Sequence, residues 1–236
     1  MKLLIRRILL SLFSYRVLAL VRWDLHFISV RFRNLLSCQP SKCSKRIERA
    51  ARPLYLNLGS GPRGKSDDHW FNVDGYDANN VQCLMDFCRP WPFPHNSFDG
   101  IFCEHVFEHF DFEQGAWLLR EALRVLRPGG AIRIIVPDGE KIIGTYRDSP
   151  SELLAHRDTG KNFAMDAVNS YFRQRYEHQY IYDWASLEHQ LIQAGFQNAA
   201  RVSYGEGNVS KSMLLDDQAY LWESLYVEAS KPDRES

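Results

Sequence analysis

The chain has 236 residues, enough for one α/β domain plus an extension, and a formal net charge of zero. That zero hides a split: residues 1–53 carry twelve Lys or Arg against two acids, a charge of +10, and the remainder stands at −10. Five cysteines without a C-x-x-C pair argue against a disulfide framework and against a zinc site, and they fit a reducing compartment.

The first segment is apolar from Ile8 to Tyr15 and from Val17 to Val21, but Arg6, Arg7, Arg16 and Arg22 interrupt it. No stretch approaches the ~20 apolar residues of a spanning helix, and no small-residue cleavage site of a signal peptide follows. On a helix, Arg7, Ser11, Ser14, Arg22, His26, Ser29 and Arg33 gather on one side, while leucines and aromatics such as Phe13, Trp23 and Phe27 cover the rest. Two expectations stay open for residues 1–36. One is an interfacial helix at an anionic membrane; the other is a helix packed on the body or on a second copy in a homodimer. Gln39 to Pro53 reads as a polar, basic linker, so residues 1–52 form an extension and 53–236 the main domain.

The main domain opens on Leu54-Tyr55-Leu56-Asn57-Leu58, a strand that runs into Gly59-Ser60-Gly61-Pro62. In an open α/β sheet, ligands bind beyond the carboxyl ends of the strands, and glycines let the backbone approach them. Gly59 to Gly64 also spells G-x-G-x-x-G, which in a dinucleotide site needs a helix opening at the glycines. Here Lys65 to His69 show no helical period before the next strand, so the pyrophosphate reading is the weaker one. Phe71 to Asp74 is the second strand, and its acid can accept from both hydroxyls of a ribose. Val81 to Met85 is the third, closed by Asp86, which reads first as a strand-end cap and second, with Phe87 beside it, as an acceptor for an adenine amino group. A stiff loop, Arg89 to Pro94, precedes the fourth strand at Ser97 to Phe102. A helix with apolar positions Leu118, Leu119, Leu123 and Leu126 follows and is stopped by Arg127-Pro128-Gly129-Gly130. Ala131 to Val136 is the fifth strand. Alternating strands and helices imply a mostly parallel sheet covered on both faces.

These parts, in this order, resemble the class I S-adenosylmethionine-dependent methyltransferases. Leu56 to Pro62 is similar to their cofactor turn, Asn72-Val73-Asp74 to their ribose strand, and Phe98 to His109 to their fourth-strand signature. Leu123 to Gly130 matches the helix-to-hairpin element before strand five, and the nearest branch carries a methyltransferase type 11 domain. The resemblance implies a Rossmann-like, mostly parallel seven-stranded sheet with an antiparallel edge strand and helices on both faces. It implies S-adenosyl-L-methionine as cofactor, held by Asn57, Gly59, Ser60, Gly61, Asp74, Gly75, Asp86, Phe87, Glu104 and His105. Two departures stand out: Asn57 replaces the usual acid, and the first helix is shortened or missing.

His105-Val106-Phe107-Glu108-His109 admits sharper readings. It spells the H-x-x-E-H of some metalloproteases, and some methyltransferases carry an E-x-x-E-H run that binds a divalent cation. Against these, His105 along the cofactor and Glu108-His109 opening a helix need no ion, so no metal is assigned. Gly139 to Tyr180 reads as a helical, aromatic insertion over the substrate pocket. Asp183 is an N-cap candidate and Gly195 a C′ residue for the next helix, and Arg201 to Tyr204 with Ser224 to Ala229 forms the last strand pair. The expected reaction is methyl transfer to a small-molecule hydroxyl, of a saccharide or another metabolite, with His105 or His178 as base. Alternatives are a non-catalytic nucleoside-binding protein and an NAD-dependent oxidoreductase. No nucleic-acid partner is expected, and the expected location is cytoplasmic or peripheral at a membrane.

Overall fold

The structure is a computed structural model. It describes residue 12 and residues 14–157, 159–160 and 162–233. The expected features at Arg6, Arg7, Ser11 and Phe13 lie outside the described residues.

Two helices precede the sheet. Helix α1, Tyr15–Ser37, starts at Ser14, whose hydroxyl accepts from the Val17 amide at 3.3 Å. Helix α2, Gln39–Glu48, occupies most of the expected linker. Proline at its first turn is compatible with a helix start, and Cys43 and Ile47, one turn apart, are buried against the sheet. That apolar pair inside a basic segment is what turns the linker into packed structure.

Strands β1 (Tyr55–Leu58), β2 (Trp70–Asp74), β3 (Cys83–Leu84), β4 (Phe98–Glu104), β5 (Leu126–Pro137), β6 (Gln197–Val202) and β7 (Ser224–Ser230) form one sheet. Their order is β3-β2-β1-β4-β5-β7-β6. The first five run parallel, in register from Tyr55 opposite Trp70 and Gly100. Strand β7 is antiparallel to both neighbours, so the reversed strand lies one place in from the β6 edge. Ile132, Ile134, Ile135 and Val136 are all fully buried, as expected for a strand covered on both faces.

One face is packed by α2, by α3 (Phe112–Val125) and by α7 (Trp184–Ala194). Asp111 and Gln114 form a reciprocal cap at the start of α3, and Leu118, Leu119, Ala122 and Val125 fall on its buried side. Burying each such leucine contributes about 1.5–3 kcal/mol. The expected Asp183 cap and Gly195 terminus of α7 are both present, with Gly195 at φ +98°. The other face carries Tyr55, Trp70, Phe102, Ile135 and Tyr226, covered by Met213, Leu215 and neighbours from the 203–217 segment. Only a 3-10 turn, Gly61–Arg63, lies between β1 and β2, because the connection is too short for a crossover helix. The insertion is helical as expected: α4 (Gly139–Asp148), α5 (Pro150–His156) and α6 (Ala164–Arg173) close on Ile142, Leu153, Ala167 and Tyr171.

Candidate functional site

The ends of β1 and β4 frame a cavity of about 150 Å³ lined by Asn57, Gly59, Ser60, Arg63, Lys65, Phe102, Glu104, Leu215 and Asp217. Four residues expected from the sequence meet there: Asn57, Gly59, Ser60 and Glu104. Asn57 is buried and donates to Asn72 Oδ1 at 3.0 Å. Gly59 has φ +73°, and a Cβ on it would lie 2.2 Å from Val106 Cγ2, so both its conformation and the close approach require glycine. The Ser60 hydroxyl is buried with no partner among the described residues, an orphan facing a polar cavity. Glu104 accepts from the Asp217 amide at 2.7 Å, and burial pushes its carboxyl above the usual range.

Five lining residues escaped the sequence reading. Arg63 pairs with Asp217, and Lys65 lies 5.7 Å from the Phe102 ring centre, its ammonium weakened by burial and supported by Glu104. Two basic residues inside a glycine turn are a signal the sequence does contain. Leu215 and Asp217 come from a segment far along the chain, and nothing local marks them.

Asp74, Gly75, Asp86 and Phe87 stand outside this cavity. Asp74 holds the turn, accepting from the Gly61 and Tyr76 amides, both at 2.7 Å. Gly61 has φ +52° and open space beyond its Cα. Helix α1 lies over the ends of β2 and β3. His26 Nε2 is 2.8 Å from the Gly75 carbonyl, a Cβ on Gly75 would sit 2.9 Å from Phe27, and Arg31 Nε donates to Asp86 at 2.8 Å. Phe87 is buried in the core against Phe110, its carbonyl accepting from Trp91 Nε1.

His105 and His178 are drawn to one carboxylate. His105 has φ +53°, uncommon for a non-glycine residue. Its Nε2 is 2.9 Å from Ser224 Oγ and its Nδ1 3.1 Å from Glu108 Oε1. Glu108 is 1% exposed, and neither of its oxygens has an aligned hydrogen-bond partner among the described residues. Burial pushes that carboxyl up, but His105, then His109 and His178, more than offset it and hold it below the usual range. His178 is buried, with Nδ1 bonded to the Tyr171 carbonyl, and burial lowers its affinity for a second proton.

Two readings of the sequence lose their geometry here. Residues 107–109 form a 3-10 turn, so His105 and His109 do not share an α-helical face as a metalloprotease motif requires. No α-helix opens at the glycine turn, so no helix N-terminus is present to hold a pyrophosphate.

Residues 71–134 match the methyltransferase domain family of type 11. No curated protein matches the chain. Similar solved structures include a chain of the complex between the Haloferax volcanii Trm112 methyltransferase activator and a methyltransferase. It has a TM-score of 0.48 and 14% identity, covering 86% of this chain and 94% of that one. A S-adenosylmethionine-dependent methyltransferase from Archaeoglobus fulgidus is similar with a TM-score of 0.44 and 14% identity, over 84% of this chain and 94% of that one. Haemonchus contortus phosphoethanolamine N-methyltransferase 2, solved with S-adenosyl-L-methionine, gives a TM-score of 0.46 and 16% identity, over 78% of this chain and 50% of that one.

Proposed function

We propose, on the premise that this chain carries a class I S-adenosylmethionine-dependent methyltransferase domain of the type 11 branch, that it methylates a hydroxyl of a saccharide or other small metabolite. The observation that supports this most is the charge pattern of the β1–β4 cavity. Two cations, Arg63 and Lys65, and two acids, Glu104 and Asp217, line it together, with Arg63 paired to Asp217, beside the orphaned Ser60 hydroxyl. That donor and acceptor set fits an amino-acid zwitterion, the methionyl end of the cofactor. The cations would meet its carboxylate and the acids its ammonium. Asp74, at the neighbouring strand end, retains lone pairs for ribose hydroxyls beyond the two amides it accepts. Asp86 and the wall formed by α1 would border the base.

The bound cofactor supplies a methyl group already activated by a positive sulfur. The chain's own tasks are alignment and handling of one proton. Transfer would join the acceptor oxygen to the methyl carbon as the carbon–sulfur bond opened with its electrons left on sulfur, and the chain would take up the acceptor's proton. The acceptor end is assigned to the His105, Glu108, His109 and His178 cluster, under the insertion that carries His178. In the absence of any ion, His178 is the better base, because its Nδ1 is tied to a carbonyl and its Nε2 lone pair is left for a proton.

Helix α1 meets the sheet through Phe27, Val30, His26 and Asn34, while Val17, Val21, Leu25, Ile28, Phe32 and Leu35 form an exposed stripe on another side. With the +10 charge of residues 1–53, we assign this stripe to peripheral contact with an anionic membrane. No helix among the described residues is long and apolar enough to cross a membrane.

Calorimetry with S-adenosylmethionine, followed by incubation with methyl-labelled cofactor and fractionated metabolites, tests the reading. Saturable binding, a labelled small-molecule product and formation of S-adenosylhomocysteine are expected. Binding without turnover on any fraction would leave the non-catalytic alternative, and no binding would remove both.

A further inference from the structure

The Glu108 cluster is built more elaborately than a base requires. Glu108, His109 and His178 each offer one ligand atom, and these atoms all lie within 4.8 Å of one another. Donors about 2.0–2.2 Å from one tetrahedral ion are about 3.4 Å apart, so side-chain rotations of about 1 Å would close the set. Three local features bring it together. The 3-10 turn at Phe107–His109 places Glu108 and His109 side by side. The Glu108 carbonyl accepts from the Gln179 and Tyr180 amides at 2.7 and 3.3 Å, which docks the His178 segment onto that turn. The His178 ring then meets the His109 ring edge to face, 5.0 Å between centres.

The protonation pattern suits a ligand set. A carbonyl only accepts, so His178 Nδ1 carries the proton toward Tyr171, and Nε2 keeps its lone pair. Metal-binding histidines are commonly oriented by such an outer hydrogen bond. Glu108 is the second, independent feature: a carboxylate 1% exposed, without an aligned hydrogen bond, is costly unless something cationic meets it. His105, 3.1 Å away, is turned partly elsewhere, its other nitrogen engaged by Ser224.

We infer that Glu108, His109 and His178 bind one divalent transition-metal ion of the zinc, manganese or iron(II) kind, with at least one open position for the acceptor oxygen. Two imidazoles and one carboxylate select such ions over magnesium or calcium, which favour all-oxygen shells. The ion would orient and polarise the hydroxyl to be methylated, so its role rests on the methyltransferase reading, while its binding does not. The acceptor class narrows accordingly to compounds whose oxygen can ligate a metal, such as a hydroxyl beside a second oxygen donor. Because an N–H donor to Tyr171 fixes which nitrogen faces the cluster, His178 becomes a ligand when the ion is bound rather than a base.

The full chain, stripped with a chelator, is titrated with cobalt(II) chloride and followed by visible absorption and calorimetry. One equivalent with the intense bands of a four- or five-coordinate site is expected. Glu108→Gln, His109→Ala and His178→Ala should each weaken it by at least ~100-fold, beyond the 10–100-fold typical of outer-shell changes. His95→Ala, at an exposed position, should leave it unchanged. Thermal melts accompany each variant, and the half-buried His109 provides a variant that does not disturb the core. Absence of one-equivalent binding, or equal binding in all three ligand variants, overturns the site and leaves His178 as a direct base. Calorimetry with S-adenosylmethionine on the same stripped protein reads the methyltransferase premise separately.

Discussion

Arg133 offers the sharpest test of how the β1–β4 cavity is held. This β5 residue is fully buried, and its guanidinium forks to Asp216, with Nε to Oδ1 at 2.7 Å, and also pairs with Glu228. It donates in addition to the carbonyls of Glu206 and Ser203, at 3.0 and 3.2 Å. Asp216 further accepts from Gly205, and Glu228 from Asn208, so one side chain gathers the whole 203–217 segment. Asp216 and Glu228 are 1% and 5% exposed at the side chain. Arg133→Leu would therefore leave two buried carboxylates without their cation, which costs about 3–5 kcal/mol. At a urea slope of about 2–3 kcal/mol per molar, the unfolding midpoint should fall by roughly 1–2.5 M. Because Asp217 and Leu215 line the cavity, S-adenosylmethionine affinity should fall as well. Arg133→Lys keeps the charge but loses the fork, and should fall between. Urea unfolding followed by fluorescence, with calorimetry below the transition, is the assay. A stability loss under ~1 kcal/mol would refute the argument from uncompensated burial. A large loss with unchanged cofactor affinity would refute the link to the cavity.

Asp74→Ala should weaken S-adenosylmethionine binding by about 1.5–3 kcal/mol, the worth of a hydrogen bond to a charged group. Calorimetry on a folded variant with unchanged Kd would remove the ribose assignment. Glu121 accepts from Arg124 and from the Trp91 amide. Burial pushes its carboxyl up, but Arg124 and that amide more than offset it and hold it below the usual range. A depressed folded value gives stability present above the ordinary carboxylate pKa of ~4.3 and lost as pH falls through the folded value. Glu121→Gln should accordingly lower stability near pH 7. The two proteins should converge in acid, and urea unfolding at several pH values that showed a constant gap would contradict this. Leu25→Glu with Phe32→Glu should abolish salt-sensitive sedimentation on anionic vesicles, where each nearby basic residue is worth about 1 kcal/mol. Equal sedimentation of both proteins would remove the membrane assignment.

The sequence alone carried most of the sheet. The strand at Tyr55–Leu58, the acid ending β2 and the long apolar β5 are visible because buried parallel strands need continuous apolar runs bounded by turn residues. The missing first helix was equally legible, since eleven residues from Gly59 to His69 cannot make a crossover helix and return. The cap at Asp183 and the stop at Gly195 are local chemistry and were readable for the same reason. What only the tertiary structure decided are long-range meetings. The pairing of Arg133 with Asp216 and Glu228 spans 83 and 95 residues and sets one wall of the cavity. Helix α1 turned its mixed face, not its most apolar one, to the body, because Arg31, His26 and Asn34 find partners at strand ends that no periodicity can foresee. His178 could be named from its residue type, but its arrival beside Glu108 depends on two backbone amides docking on one carbonyl. Local pattern fixes which segments form strands and helices, whereas charges and histidines far apart in the chain acquire a role only when the fold sets them within a few ångströms.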